Sequence, residues 1–143
     1  MSRWNNKADR IRAFLEEQPE MLKLPVIVHR QDDLLNLVNE KVSKSAGFGC
    51  VIVKWLGGKN PDRKSGQLRM GARFSISLWT RQVLGDAEAI GADDLIELMA
   101  ERLHGWLDTS VSLAHRLEVV SVELVPDAPG YIVHEIIAEI SRT

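Results

Sequence analysis

The sequence contains little of several features that define large classes of proteins. Cys50 is the single cysteine among 143 residues, which excludes an intramolecular disulfide and a cysteine-rich zinc site. No apolar run approaches the roughly 20 residues of a membrane span, and charged residues interrupt the first twenty positions, where a signal peptide needs an apolar core. We therefore expect a single soluble, cytoplasmic domain over residues 1–143, with no membrane partner.

The excess of either charge is also small. The chain has 18 Lys and Arg residues and 20 Asp and Glu residues, which gives a net charge of −2. This balance excludes a surface that is uniformly basic, although it is compatible with a local basic patch. A hydrophobic fraction of 45% and a charged fraction of 27% are typical of a folded globular chain.

The hydrophobic pattern alternates between helical and strand periods along the chain. Ala8, Ile11 and Leu15 form an apolar stripe with helical spacing, whereas Leu68–Arg81 alternates apolar and polar residues like a half-buried strand. Turn residues at 57–67 and 126–130 indicate hairpins. The predicted elements are helices at about 4–18, 34–42 and 91–107, and strands at about 24–29, 49–56, 68–81, 115–125 and 131–141.

This order of elements, α-β-α-β-β-α-β-β, predicts an α+β fold. We expect a mostly antiparallel mixed sheet with two helices packed on one face plus an N-terminal helix. Residues 1–20 should form the N-terminal helix, and residues 24–142 the α+β core with an exposed hairpin at 57–67. The apolar stripe of the N-terminal helix would dock either on the chain's own sheet or on a neighbouring molecule.

The residue types that bind metals or act as acids and bases lack the spacing that such chemistry requires. His134 begins an H-E-x-x-H motif, but Ala138 occupies the position of the second histidine, and the segment has a strand pattern. The acidic pairs at 32–33 and 93–94 stand where helices are predicted to begin, so helix capping explains them.

Two further candidates have equally plain explanations. Cys50 lies in an apolar strand and is expected to be a buried, unreactive thiol. The glycines and lysines of 57–66 lack the spacing of a phosphate-binding loop and join two strands, whereas that loop joins a strand to a helix. We therefore predict that the chain is not an enzyme and has no catalytic residue, metal site or cofactor.

Charge is unevenly distributed along this nearly neutral chain. Between Lys54 and Arg81, seven basic residues stand against Asp62, a net charge of +6, whereas residues 82–102 have a net charge of −5. The predicted basic hairpin contributes four candidate contact residues: Lys59, Arg63, Lys64 and Arg69. The predicted acidic counter-surface contributes six: Asp86, Glu88, Asp93, Asp94, Glu97 and Glu101.

This separation of charge has three interpretations, and the residues alone leave all three open. The two stretches are ordinary solvated surfaces that complement each other within one chain, or they meet between copies in head-to-tail self-association. Head-to-tail contacts close into a ring when the rotation between copies permits. In the third interpretation the basic hairpin faces nucleic acid through nonspecific phosphate contacts.

The order of elements, the chain length and the basic hairpin resemble the tail-terminator, or tail-completion, proteins of tailed phages, of which the minor tail protein U type is the best described. The resemblance covers about residues 22–142. The segments most similar to the family are DDLL at 32–35, before a helix, and GCVIV at 49–53.

The resemblance implies a non-enzymatic structural protein of a phage or prophage tail. Proteins of this family form a ring, a hexamer, that caps the tail tube and joins it to the head. The implied partners are copies of the chain, tail-tube proteins and head-connector proteins, in the host cytoplasm during assembly and then in the virion tail. The basic hairpin would face the lumen or the tube, near DNA. The alternative that the element order leaves open is a ferredoxin-like ligand- or RNA-binding module.

Overall fold

A computed structural model describes residues 3–19, 24–29, 34–44, 49–62, 69–81, 87–108, 116–125 and 130–140. The predicted order of helices and strands is confirmed. The elements are α1 (Arg3–Glu16), β1 (Val26–Val28), α2 (Leu34–Lys44), β2 (Gly49–Asp62), β3 (Arg69–Arg81), α3 (Ala87–Leu103), β4 (Leu117–Val125) and β5 (Tyr131–Ile140).

These five strands form one mixed sheet in the order β1-β2-β3-β5-β4. The strand β1 runs parallel to β2, and every other neighbouring pair is antiparallel. The predicted α+β class with a mostly antiparallel mixed sheet is therefore confirmed.

Helices cover both faces of the sheet. On one face α1 and α3 share a core with the sheet, in which Ile11 and Met99 belong to the same buried cluster as Phe74. On the opposite face α2 packs through Val38 against Ile52 of β2. Two helices do share a face, but the pair is α1 and α3, whereas we expected the two core helices α2 and α3 to lie together.

The direction of the strands explains why α2 and α3 are separated. The helix α2 joins β1 to β2, and α3 joins β3 to β4. In each case the two strands are parallel, and each connection runs across the sheet in the direction from β1 towards β4. Connections of this kind are almost always right-handed. Because β1 and β3 run in opposite directions, two right-handed connections place their helices on opposite faces.

The helix α1 docks on the chain's own sheet and is held there by the segment after α3. Lys7 is buried, and its Nζ lies 2.5 Å from Oδ2 of the buried Asp108. The Nε of Arg10 lies 3.5 Å from the same oxygen, and the ring of Phe14 stacks on Trp106 with the centroids 4.9 Å apart. The apolar stripe of α1 therefore packs on the chain's own sheet, which is one of the two alternatives that the sequence left open.

The strand β2 is longer than predicted. We expected an exposed connection at 57–67, but β2 continues to Asp62, which is paired with Arg69 of β3. Gly57 has a φ of 111° and lies at a register shift, so a bulge that favours glycine carries the strand past residue 56. The predicted hairpin is therefore partly strand, and residues 63–68 lie outside the described part of the chain.

The helix α3 begins and ends earlier than predicted. It spans Ala87–Leu103, and the chain then turns at Gly105, whose φ of 80° suits glycine. Asp93 and Asp94 consequently lie inside the helix, so the prediction that they cap its N-terminus is wrong. The other acidic pair, at 32–33, lies outside the described residues.

The sheet order also differs from that of a ferredoxin-like module. In the split βαβ arrangement of those modules another strand separates the two parallel strands. Here β1 and β2 are direct neighbours, and only β3 and β4 have a strand, β5, between them.

The buried ion pair at α1 should contribute strongly to stability. Replacing Asp108 with Asn would leave the Lys7 ammonium group buried without a carboxylate partner, and we expect the free energy of unfolding to fall by about 3–5 kcal/mol in urea denaturation. The matched control is Glu16→Gln, which removes the half-exposed pair with Arg12 at 3.9 Å and should cost less than about 0.5 kcal/mol. Equal effects of the two variants would contradict this.

Glycine at position 49 is required by close backbone packing. A Cβ there would lie 2.2 Å from the carbonyl oxygen of Trp79, so we expect Gly49→Ala to lower the free energy of unfolding by about 1–3 kcal/mol. Gly91 in α3 has open space around it, and Gly91→Ala should raise stability by about 0.5–1 kcal/mol. Two thermal or urea unfolding curves displaced in the same direction would refute this explanation.

Candidate assembly interface

The predicted basic hairpin lies partly within the described chain. Lys59 belongs to β2 and Arg69 is the first residue of β3, whereas Arg63 and Lys64 lie outside the described residues. The β2–β3 register brings the two described positions to the same end of the hairpin.

This end of the hairpin projects beyond the rest of the sheet. The strand β3 pairs with β5 only as far as Ala72, opposite Ile140, and β1 pairs with β2 only along Val51–Val53. We name the projecting part, Gly58–Asp62 with Arg69–Gly71, the arm. In the ranges that the structure describes, no further strand borders the arm on either side.

The predicted acidic counter-surface lies mainly on α3. Asp94, Glu97 and Glu101 are exposed there, Glu88 belongs to the first turns of the helix, and Asp86 lies outside the described residues. Among the described side chains, no ion pair joins α3 to the basic hairpin.

The remaining acidic candidate, Asp93, contacts the sheet. Its Oδ1 lies 2.6 Å from Nε2 of His134, a buried residue of β5. The prediction that His134 is a strand residue is confirmed, and the imidazole joins α3 to β5. Neither residue type nor spacing indicated this pair, because it depends on how α3 lies across the sheet.

The strand β4 ends the sheet and carries a surface that the sequence reading missed. The large apolar side chains that are exposed in the described chain are Val120, Val122 and Leu124 of β4, at 51%, 45% and 65%, and Leu56 of β2, at 44%. Edge strands of soluble proteins usually carry charges, prolines or covering segments that prevent pairing with another chain. An apolar, exposed edge is therefore a candidate contact surface.

Hydrogen bonds from residues 104–106 cover the first part of this edge. The Leu117 N–H donates to the Trp106 carbonyl at 2.9 Å, and its own carbonyl accepts from the Gly105 N–H at 2.7 Å. The Val119 N–H donates to Nδ1 of His104 at 3.1 Å. These contacts satisfy the outer edge of β4 only as far as residue 119.

Beyond residue 119 no strand among the described residues pairs with this edge. A register shift between Val119 and Ser121 makes Val120 an extra residue, after which Val122 pairs with Ile136 and Leu124 with His134. In an antiparallel ladder the backbone groups of alternate residues point to the same side. Val122 and Leu124 therefore direct N–H and C=O groups outward, where the described chain has no strand.

Charge changes sign across the face of the sheet that carries α2. At the β2–β3 side Lys54 and Arg73 are exposed, whereas at the other side Glu118 and Glu123 of β4 are exposed. The strand β4 contains no basic residue. Arg73 lies 3.8 Å from the buried Glu139 of β5, where the two signs meet.

Metal-binding side chains are not clustered among the described residues. These residues contain no group of three His, Cys, Asp or Glu side chains that could hold a metal ion. Cys50 is buried, as predicted, and burial raises the pKa of its thiol to about 12.

None of the described helices is long and apolar enough to cross a membrane.

Comparison of the sequence with known protein families gives no match, and comparison with curated proteins gives no significant match. Function must therefore be inferred from the surfaces that the chain itself presents.

Burial of Cys50 has a measurable consequence. Because the thiolate is the reactive form, a rise in pKa from 9.0 to about 12 should make the native thiol react about a thousand-fold more slowly than the unfolded one near pH 8. Alkylation with and without denaturant measures this ratio. The matched control, Cys50→Ala with Leu56→Cys, moves the thiol to an exposed position and should react rapidly in both states. A native Cys50 that reacts as fast as the control would contradict the prediction.

Proposed function

We propose that the chain is a non-enzymatic structural assembly protein of a phage or prophage tail, which forms a homo-oligomeric ring as the resemblance to tail terminators implies. One observation carries the proposal: the arm and the open edge of β4 lie at opposite ends of one sheet. A projection at one end and a receptive edge at the other support repeated contacts between copies.

Contacts between two different surfaces are head-to-tail. Such an interface leaves one arm and one edge unused in every open chain of copies, so association continues until the rotation between copies closes a ring. Closure satisfies every interface at once, and the resulting avidity exceeds that of a single contact. This supports a ring of defined size, for which the family resemblance implies a hexamer.

The charges of the sheet favour a partner of mixed sign over nucleic acid. On the face of the sheet that carries α2, Lys54 and Arg73 lie on β2 and β3, and Glu118 and Glu123 lie on β4 at the opposite edge. A second copy presents the complementary arrangement, which steers association and fixes register. A polyanion would be repelled by the acidic strands, which supports self-association as the main use of the basic residues.

The proposed activity needs geometry and no catalytic group. A closed ring has two faces, of which one would stop the growth of a tail tube and the other would receive a head-connector protein. The partners are therefore the tail-tube and head-connector proteins of the same particle, and tail genes should lie beside the gene for this chain.

The test is the mass of the particle in solution. We expect light scattering after size-exclusion chromatography to give a closed oligomer of fixed mass at low salt, with negative-stain images of rings. High salt should weaken it, because the Debye length falls from about 10 Å at 0.1 M to about 3 Å at 1 M. A chain that stays monomeric at every concentration and salt would refute the proposed function.

A charge reversal at the arm tests the role of the basic hairpin in the same assay. We expect Lys59→Glu with Arg69→Glu to reduce association strongly, because it reverses the sign of the arm. The control is Arg81→Glu, an exposed basic residue at the far end of β3, which should assemble like the natural chain. Equal loss in both variants would show a general effect of net charge instead.

A further inference from the structure

We infer that the outer edge of β4, Ser121–Val125, is the acceptor for the outer edge of β2, Lys54–Asp62, of a second copy, so that the two sheets continue into one another. This inference rests on the proposed self-assembly and adds which strands meet. In this inference the acidic partner of the basic hairpin is β4, whereas the sequence predicted the acidic residues of α3.

The backbone of both segments is ready for such pairing. Val122 and Leu124 point N–H and C=O groups away from β5, and the contacts of the described residues 104–106 with the edge reach only as far as residue 119. The pairing of β1 with β2 ends where Val28 faces Val53, and no strand of the described chain borders the outer edge of β2 from residue 54 onward. Pro61 has no N–H to donate, so pairing there depends on the residues before it. Each edge offers about five or more residues, which is the usual length of a strand.

The exposed apolar side chains point to the same two segments. The large apolar side chains exposed in the described chain are Leu56 on the β2 edge and Val120, Val122 and Leu124 on β4. Pairing of the two edges would bring these groups out of water together. Burial of apolar area is the main driving force of association, so their location argues for these edges over any other pair.

Charge supports a contact between unlike edges. Glu118 and Glu123 give β4 a negative charge with no basic residue to offset it. The β2 segment carries Lys54 and Lys59 against Asp62. Pairing of β4 with a second β4 would instead bring acidic strands together, whereas pairing with β2 joins opposite signs.

The arm cannot reach the acceptor of its own chain, so a contact between the two segments requires a second copy. The arm leaves the sheet where Ala72 faces Ile140, and the open part of β4 lies beside His134. Six residues of β5 separate these points, about 20 Å along the strand, and the arm projects away from the acceptor. A head-to-tail contact is the arrangement that joins them.

Complementation of two defective copies tests the inference. One variant, Lys54→Glu with Leu56→Glu, disables the β2 edge, and the other, Glu123→Lys with Leu124→Lys, disables the β4 edge; all four residues are exposed. We expect each variant to be monomeric by light scattering. An equal mixture should regain association, because one intact β2 edge can meet one intact β4 edge and the two altered edges also carry opposite charges.

The matched control makes the same charge change on α3. Glu97→Lys with Glu101→Lys alters two exposed acidic residues and should assemble like the natural chain. If this control is monomeric while the β4 variant assembles, α3 is the counter-surface and the inference is wrong. If the β2 variant still assembles while the β4 variant does not, two β4 edges pair with each other, which also overturns it. Neither outcome affects the proposed function, which fails only if the natural chain is monomeric.

A backbone variant keeps the inference testable if a charged variant does not fold. Proline at position 122 removes an N–H that points outward, so it deletes no hydrogen bond of the chain's own sheet. We expect Val122→Pro to lose association, whereas Val122→Thr, which keeps the N–H and the β-branched shape, should retain it. Native circular dichroism confirms folding of each variant. Equal assembly of the two would overturn strand pairing as the mode of contact.

Discussion

The pairing of β2 with β3 is the constraint on which the rest of the molecule depends. It runs from Gly49 opposite Thr80 to Asp62 opposite Arg69, and within it lies the close approach that only glycine at 49 allows. One end of this hairpin is buried on both faces, by α1 and α3 on one side and by α2 on the other. Because the strands of the arm continue directly from that buried end, the position of the arm follows from core packing.

Much of the fold follows from local patterns, because apolar periodicity reflects burial. Ala8, Ile11 and Leu15 lie at helical spacing and are all buried, and the alternation along β3 marks the face that meets α1 and α3. The faces that α2 and α3 occupy depend on strand order, which no single segment records. The contact between Asp93 and His134 was not predicted because it also depends on strand order. Helix capping gave a local explanation for the aspartate, whereas its partner is 41 residues away.

The proposed contact surfaces were predictable only in part. The sequence shows the basic residues of the hairpin as a run of charge. Which acidic segment is available to meet them depends on which strand lies at the edge of the sheet. A signal for the β4 edge does exist in the sequence. Apolar residues fall at odd positions through Val119 and at even positions from Val120, and such a change of parity marks a bulge. It becomes informative only when β4 is known to be the last strand, which requires knowing that β5 inserts between β3 and β4.

The incomplete protection of the sheet edges is itself an argument about function. At one edge of the sheet the strand β1 is only three residues long. At the other edge residues 104–107 cover the start of β4. Among the described residues, the cover of β4 therefore ends where its exposed apolar side chains begin. Such a segment promotes unlimited association unless a defined partner occupies it. The proposed head-to-tail ring would resolve this conflict, because in a closed ring every such edge is paired and none remains to extend the assembly.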